Sequence, residues 1–150
     1  MQEIIINSLN ELDEFASKLS SHLKPGDVLL LDGDLGAGKT TLTQFIAKHL
    51  GIEDTVNSPT FTIMKMYETS EVSFIHIDAY RLEGTQEDLG WDEVFDGHSI
   101  VVVEWSQYIA DELPLERLRI SIEQLGEHQR KLVCSIEGEQ GNRELEGVLK

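Results

Sequence analysis

The apolar residues Leu12, Phe15, Ala16, Leu19 and Leu23 recur three or four positions apart, the spacing that turns one face of a helix toward a core. Ser8-Leu9-Asn10-Glu11 stands just ahead of them and has the capping-box form, in which a hydroxyl and a carboxylate satisfy the first free amides of a helix. The pattern predicts a short strand over residues 3–6 and a helix over 9–23, broken by Pro25-Gly26. A strand follows over 28–31, then a helix over 39–50 stopped by Gly51, a residue suited to helix C-termini. Segments 61–67 and 72–77 read as strands joined by the short polar stretch 68–71, a hairpin arrangement. The run Ile-Val-Val-Val at 100–103 is continuous and β-branched, as in a strand covered on both faces. Short helical segments are predicted near 86–95 and 108–113, and 117–124 and 131–137 form a second strand pair around the polar GEHQR. The sum is an α/β fold, a central mixed and partly parallel sheet flanked by helices.

One segment interrupts this pattern with glycine. Residues 33–40, GDLGAGKT, directly follow the buried strand and match G-x-x-x-x-G-K-[ST], a phosphate-binding loop between a strand and a helix. Glycine reaches positive φ and lets backbone amides approach a ligand, so Gly33, Gly36 and Gly38 can bend a nest of N–H groups around phosphate oxygens. The whole loop, Gly33, Asp34, Leu35, Gly36, Ala37 and Gly38, with Lys39, Thr40 and Thr41 at the helix start, is therefore the expected nucleotide-binding segment. Lys39 can reach the β and γ oxygens, and the Thr40 hydroxyl is placed to ligate Mg²⁺.

Composition narrows the class. With 150 residues the chain has the length of one domain, read as spanning 1–150, and it has no apolar run near the ~20 residues of a membrane span. The N-terminus MQEIIINS lacks a basic region followed by a long apolar stretch, so a cytoplasmic location is expected. The formal charge of −16 repels polyanions, so any role on RNA is expected to run through a partner. The single cysteine, Cys134, lies in the strand-like KLVCSIE and reads as a buried, inert thiol.

Two acidic residues stand where strands end, Asp78 after VSFIHI and Glu104 after IVVV. Ligands of open α/β sheets bind beyond the carboxyl ends of the strands, so both carboxylates are candidates for the edge that carries the glycine-rich loop. One would ligate Mg²⁺, directly or through water, and the other would orient or deprotonate an attacking water; the residues alone do not assign the roles. His76 shares a strand face with Asp78 and reads either as a site residue or as a structural histidine. Trp91 and Phe95, four apart, read as core packing.

GDLGAGKTT, SPTFT at 58–62, HIDAYRL at 76–82 and VVVEW at 101–105, in that order, resemble the bacterial TsaE family, also called YjeE. The resemblance spans roughly residues 3–110 and is weak beyond Pro114. It departs at Ser106, where a proline is expected. It implies a P-loop NTPase fold in a small ATPase that binds ATP and Mg²⁺, hydrolyses slowly alone, and works with TsaB and TsaD in threonylcarbamoyladenosine modification of tRNA. In the same way it implies that Thr40 and Glu104 hold Mg²⁺, that Asp78 takes the strand-end acidic role, and that Ser58-Pro59-Thr60 forms a switch-like loop. It also puts Arg130 near the nucleotide and Ser8, otherwise a helix cap, near the base. The catalytic set is then Lys39, Asp78 and Glu104. Two rival readings are a small-molecule kinase, which needs an arginine-bearing lid although only five arginines occur and none cluster, and a regulatory switch. No N-K-x-D stretch occurs, which favours adenine over guanine.

Overall fold

The computed structural model describes residues 2–34, 38–54, 56, 63–84, 89–138 and 145–148. Within them the chain runs β1 (Gln2–Ile6), α1 (Leu9–His22), β2 (Val28–Gly33), α2 (Lys39–His49), β3 (Met64–Glu68), β4 (Ser73–Asp78), α3 (Trp91–Val94), β5 (Ile100–Glu104), β6 (Arg117–Gln124), β7 (Arg130–Glu137) and α4 (Leu145–Val148). Two 3₁₀ segments, Tyr80–Leu82 and Ser106–Glu112, follow β4 and β5. The predicted starts of the third strand at 61 and of the third helix at 86 lie outside the described residues.

The strands form one seven-stranded sheet in the order β1-β7-β6-β2-β5-β4-β3. β2 pairs in parallel with both β5 and β6, and β5 pairs in parallel with β4. β3 on β4, β7 on β6 and β1 on β7 are antiparallel. These pairings send β1, β2, β4, β5 and β6 in one direction. The ends of those five strands and the starts of β3 and β7 therefore lie along one edge.

Two apolar layers cover the sheet. On one face Leu29, Leu31, Val102, Leu118 and Ile120 pack with Leu12, Leu19, Leu42 and Ile46 of α1 and α2. On the other, Leu30, Ile75, Ile77 and Val103 pack with Trp91, Val94 and Ile109. Every residue of β5 is buried, as its unbroken apolar pattern predicts. Trp91 and Phe95 stack at 6.2 Å. Cys134 is buried, and that burial pushes its thiol up to about 12.

The α1 cap is a variant of the predicted box. Ser8 Oγ accepts from the Glu11 amide at 3.2 Å, but Glu11 Oε2 accepts from the amide of Asn7, at 3.0 Å, one residue before the cap. α1 and α2 are tied side by side by Ser20 Oγ donating to the Ile46 carbonyl at 3.3 Å and by Lys48 Nζ at 2.8 Å from Asp13. No helix among the described residues is long and apolar enough to cross a membrane.

Candidate phosphate-binding site

β2 delivers Gly33 to the common edge with φ +149°, and α2 restarts the chain at Lys39 behind Gly38, whose φ is +109°. A side chain at Gly38 would be held in a backbone conformation that L-residues rarely adopt. Its Cβ would also stand 3.0 Å from Arg130 Nε, so the guanidinium of Arg130 lies directly against the foot of α2. Leu35, Gly36 and Ala37, the middle of the expected loop, lie outside the described residues, as do Ser58, Pro59 and Thr60.

Lys39 is buried. Its Nζ donates to the Gly33 carbonyl at 2.8 Å and sits 4.3 Å from the centre of the Trp105 ring, inside the range of a cation–π contact. The ammonium thus lies between the end of β2 and the residue that follows Glu104. Trp105 holds φ +58°, a left-handed conformation rare outside glycine, asparagine and aspartate that costs of the order of 1–3 kcal/mol and clusters at functional sites. The turn it makes at the end of β5 stacks its ring against Tyr108 at 6.2 Å and edge-on to Tyr80 at 5.0 Å. Neither tyrosine was singled out by the sequence pattern.

The two strand-end carboxylates come together. β4 and β5 pair with Asp78 opposite Glu104, and β2 places Leu31 on the other side of Glu104. Both are buried, Asp78 at 5 % exposure and Glu104 at 3 %. Asp78 Oδ1 accepts from the Tyr80 amide at 3.1 Å, and the Glu104 carbonyl accepts from the Ala79 amide at 3.0 Å, which fixes the two strand ends against each other. His76 Nε2 lies 2.6 Å from Glu104 Oε2. That settles one nitrogen of the imidazole, and Nδ1 has no partner among the described residues.

On the other flank, Arg130 opens β7 opposite Ile6, the last residue of β1. Ser8 follows two residues later, and Gln129 Nε2 donates to Asn7 Oδ1 at 2.9 Å. Ser8, Arg130 and Gly38 therefore occupy neighbouring positions on the same edge. Asp32, just before the loop, accepts from Arg119 at 2.7 Å, and Arg119 also binds Glu137, which Arg117 holds at 2.6 Å. The Arg119 hydrogen bond is the main cause that keeps the Glu137 carboxyl below its ordinary value.

The donor chemistry suits Mg²⁺, a hard cation that takes oxygen ligands and keeps several waters. Thr40 would supply a hydroxyl, and Glu104 and Asp78 would supply carboxylates. Among the described residues no group of three or more His, Cys, Asp or Glu could hold a metal on its own. A cation here would complete its shell from a nucleotide's phosphates and water.

The sequence model of the threonylcarbamoyl adenosine biosynthesis protein TsaE matches residues 6–132. The chain belongs to the TsaE family. The match runs past Pro114, where the resemblance read from motifs faded, through β6 and into β7, and it includes Arg130. The chain is 47% identical over 128 residues, 85% of its length, to the tRNA threonylcarbamoyladenosine biosynthesis protein TsaE of Bacillus subtilis strain 168, covering 81% of that protein. To the protein of the same name from Streptomyces coelicolor it is 41% identical over 73% of this chain and 77% of the relative. Among solved structures, the crystal structure of Bacillus subtilis YdiB superposes with a TM-score of 0.82 at 36% identity, covering 97% of this chain and 92% of the other.

Proposed function

We propose that this chain binds MgATP at the β2–α2 loop, hydrolyses it slowly alone, and serves as the accessory ATPase of tRNA threonylcarbamoyladenosine synthesis in the cytoplasm, acting with TsaB and TsaD. The observation that carries the reading is that Lys39 lies on the ring of Trp105, the residue directly after Glu104, at the one edge where five strands end. That edge brings a cation and two buried carboxylates to the mouth of a glycine-rich loop, which is what a triphosphate and its counter-ion need.

Each side chain then has a task. The amides of the loop and of the first turn of α2 bind the phosphates. Lys39, which reaches Gly33 and Trp105, binds the β and γ oxygens. Thr40 and Glu104 hold Mg²⁺, which offsets the phosphate charge. Asp78 orients the attacking water and takes up its proton. Arg130, against Gly38, and Ser8, at the adjacent strand end, line the nucleotide's other side. With a formal charge of −16 the chain meets tRNA through its partners, and threonylcarbamoyl transfer belongs to them.

The kinase reading loses ground on one observation. Arg117 and Arg119, two of five arginines, are committed to Glu137 and Asp32 within the sheet. The test is to measure ATP and GTP turnover by the chain alone and with TsaB and TsaD. Slow ATP turnover that rises with both partners supports the reading. Fast turnover that needs only a soluble acceptor replaces it with a kinase, and preference for GTP removes the adenine assignment.

A further inference from the structure

His76 is completely buried, yet only one of its nitrogens has a partner among the described residues. Its position follows from the register: His76 pairs with Val102 and Asp78 with Glu104, so His76 and Glu104 project from the same sheet face, diagonal to each other on adjacent parallel strands. The Nε2 to Oε2 distance is 2.6 Å. A carboxylate that serves a cation only accepts hydrogen bonds, so Nε2 is the donor in this pair, while Nδ1 has no partner among the described residues. A buried polar atom without a partner is unfavourable. Among the described residues the imidazole makes one side-chain bond, and that bond is to Glu104.

We propose that His76 is a positioning residue that makes Glu104 a one-oxygen ligand and so tunes the site toward Mg²⁺ and away from Ca²⁺. With one lone pair of Oε2 taken by His76, Oε1 is the freer oxygen for a cation and two-oxygen ligation is disfavoured. Mg²⁺ and Mn²⁺ accept a single carboxylate oxygen in a compact octahedral shell. Ca²⁺ is larger, takes more ligands and commonly grips both oxygens of a carboxylate. Fixing the carboxylate also removes the need to order it on binding, the usual service of a hydrogen-bonded outer group at a metal site. The proposal rests on the reading that Glu104 meets the cation.

The test uses the full chain loaded with ADP, with Mn²⁺ binding followed by electron paramagnetic resonance and displaced by Mg²⁺ or Ca²⁺. His76→Gln keeps an amide donor near the place of Nε2, while His76→Asn is too short to reach Oε2. The asparagine variant should bind Mn²⁺ and Mg²⁺ on the order of 10–100-fold more weakly, lose less Ca²⁺ affinity, and so show a reduced preference for Mg²⁺ over Ca²⁺. The glutamine variant should stay within about threefold of the parent on both measures, since it keeps the bond. ADP affinity in excess chelator and the melting temperature report on the fold of each variant. Identical cation affinities and preference in the two variants overturn the positioning role. Glu104→Ala separates the two levels. If it too leaves Mn²⁺ binding unchanged, the assignment of Glu104 to the cation has failed; if it abolishes binding while His76→Asn does not weaken it, only the role of His76 has.

Discussion

Gly38→Ala gives a direct measure of how far the loop depends on its backbone. At φ +109° and ψ 15° an alanine meets the penalty of the left-handed region, about 1–2 kcal/mol. The reduced freedom of its unfolded chain returns about 0.4–1 kcal/mol. The new Cβ would also stand 3.0 Å from Arg130 Nε. That contact is with the far end of a flexible side chain, which can swing aside, so the backbone is expected to dominate. The net loss is then about 1 kcal/mol, or a melting temperature lower by about 2–4 °C for a chain of this length. Turnover should fall further, on the order of 10²-fold, because the amides that receive the phosphates shift with the turn.

A double-variant cycle with Arg130→Ala separates the two causes. Thermal melts and MgATP turnover of both single variants and the double variant give the coupling between the sites. Backbone strain predicts little coupling in stability, with the loss persisting when Arg130 is absent. Full restoration of the melting temperature in the double variant would refute that account and assign the cost to the guanidinium. A Gly38→Ala chain as stable and as active as the parent would refute the strained turn itself.

Lys39→Ala should reduce ATP turnover by on the order of 10²–10³-fold, the scale of one lost electrostatic donor, and should alter Trp105 emission in the nucleotide-free chain because the ammonium rests on its ring; steady-state kinetics and fluorescence check both. Glu104→Ala should raise the Mg²⁺ concentration needed for nucleotide binding, whereas Asp78→Asn should keep MgATP affinity and lower turnover by roughly 10²–10⁴-fold; a Mg²⁺ titration at fixed ATP distinguishes them, and exchanged phenotypes would exchange the roles. Glu137→Gln removes the charge that Arg117 and Arg119 pair with and should cost about 1 kcal/mol at neutral pH, as expected of partly exposed ion pairs. Because Arg119 depresses the Glu137 carboxyl in the fold, this advantage is complete above the ordinary glutamate value of about 4.3 and disappears as the pH falls through the lower folded value; melts across that range should converge.

The parts of the site that were legible in the sequence are those with local causes. The glycine spacing and the strand before it place Lys39 at a helix start whatever the rest of the chain does. The acidic residues after VSFIHI and IVVV are strand ends by pattern alone, and ends of parallel strands share an edge. The Ser8 cap is likewise written within four residues. Pairings across the sheet have no such signature. Nothing local inserts β6 beside β2, yet that insertion brings Arg119 to Asp32 across 87 positions and sets Arg130 against Gly38. The left-handed turn at Trp105 is also silent, since tryptophan has no preference for that conformation. It is held by the neighbouring rings and by Lys39, none of them adjacent in sequence.

The bond between His76 and Glu104 marks the boundary between these two kinds of information. Alternation along β4 puts His76 on the same face as Asp78, and this much can be read from spacing. Contact with Glu104 further requires that β4 and β5 run parallel with Asp78 beside Glu104. A slip of one residue would turn the whole face of β4 the other way, burying His76 and Asp78 among Leu30 and Val103 and exposing Ile75 and Ile77 to the phosphate edge. Register is held by the apolar layers: Phe74 sits with Val102 on one face, and Ile75 and Ile77 sit with Val103 on the other. The hydrophobic pattern of β4 and β5 thus fixes the position of the two carboxylates and of the imidazole that bonds one of them, so the chemistry of the edge depends on the packing of residues that take no part in it.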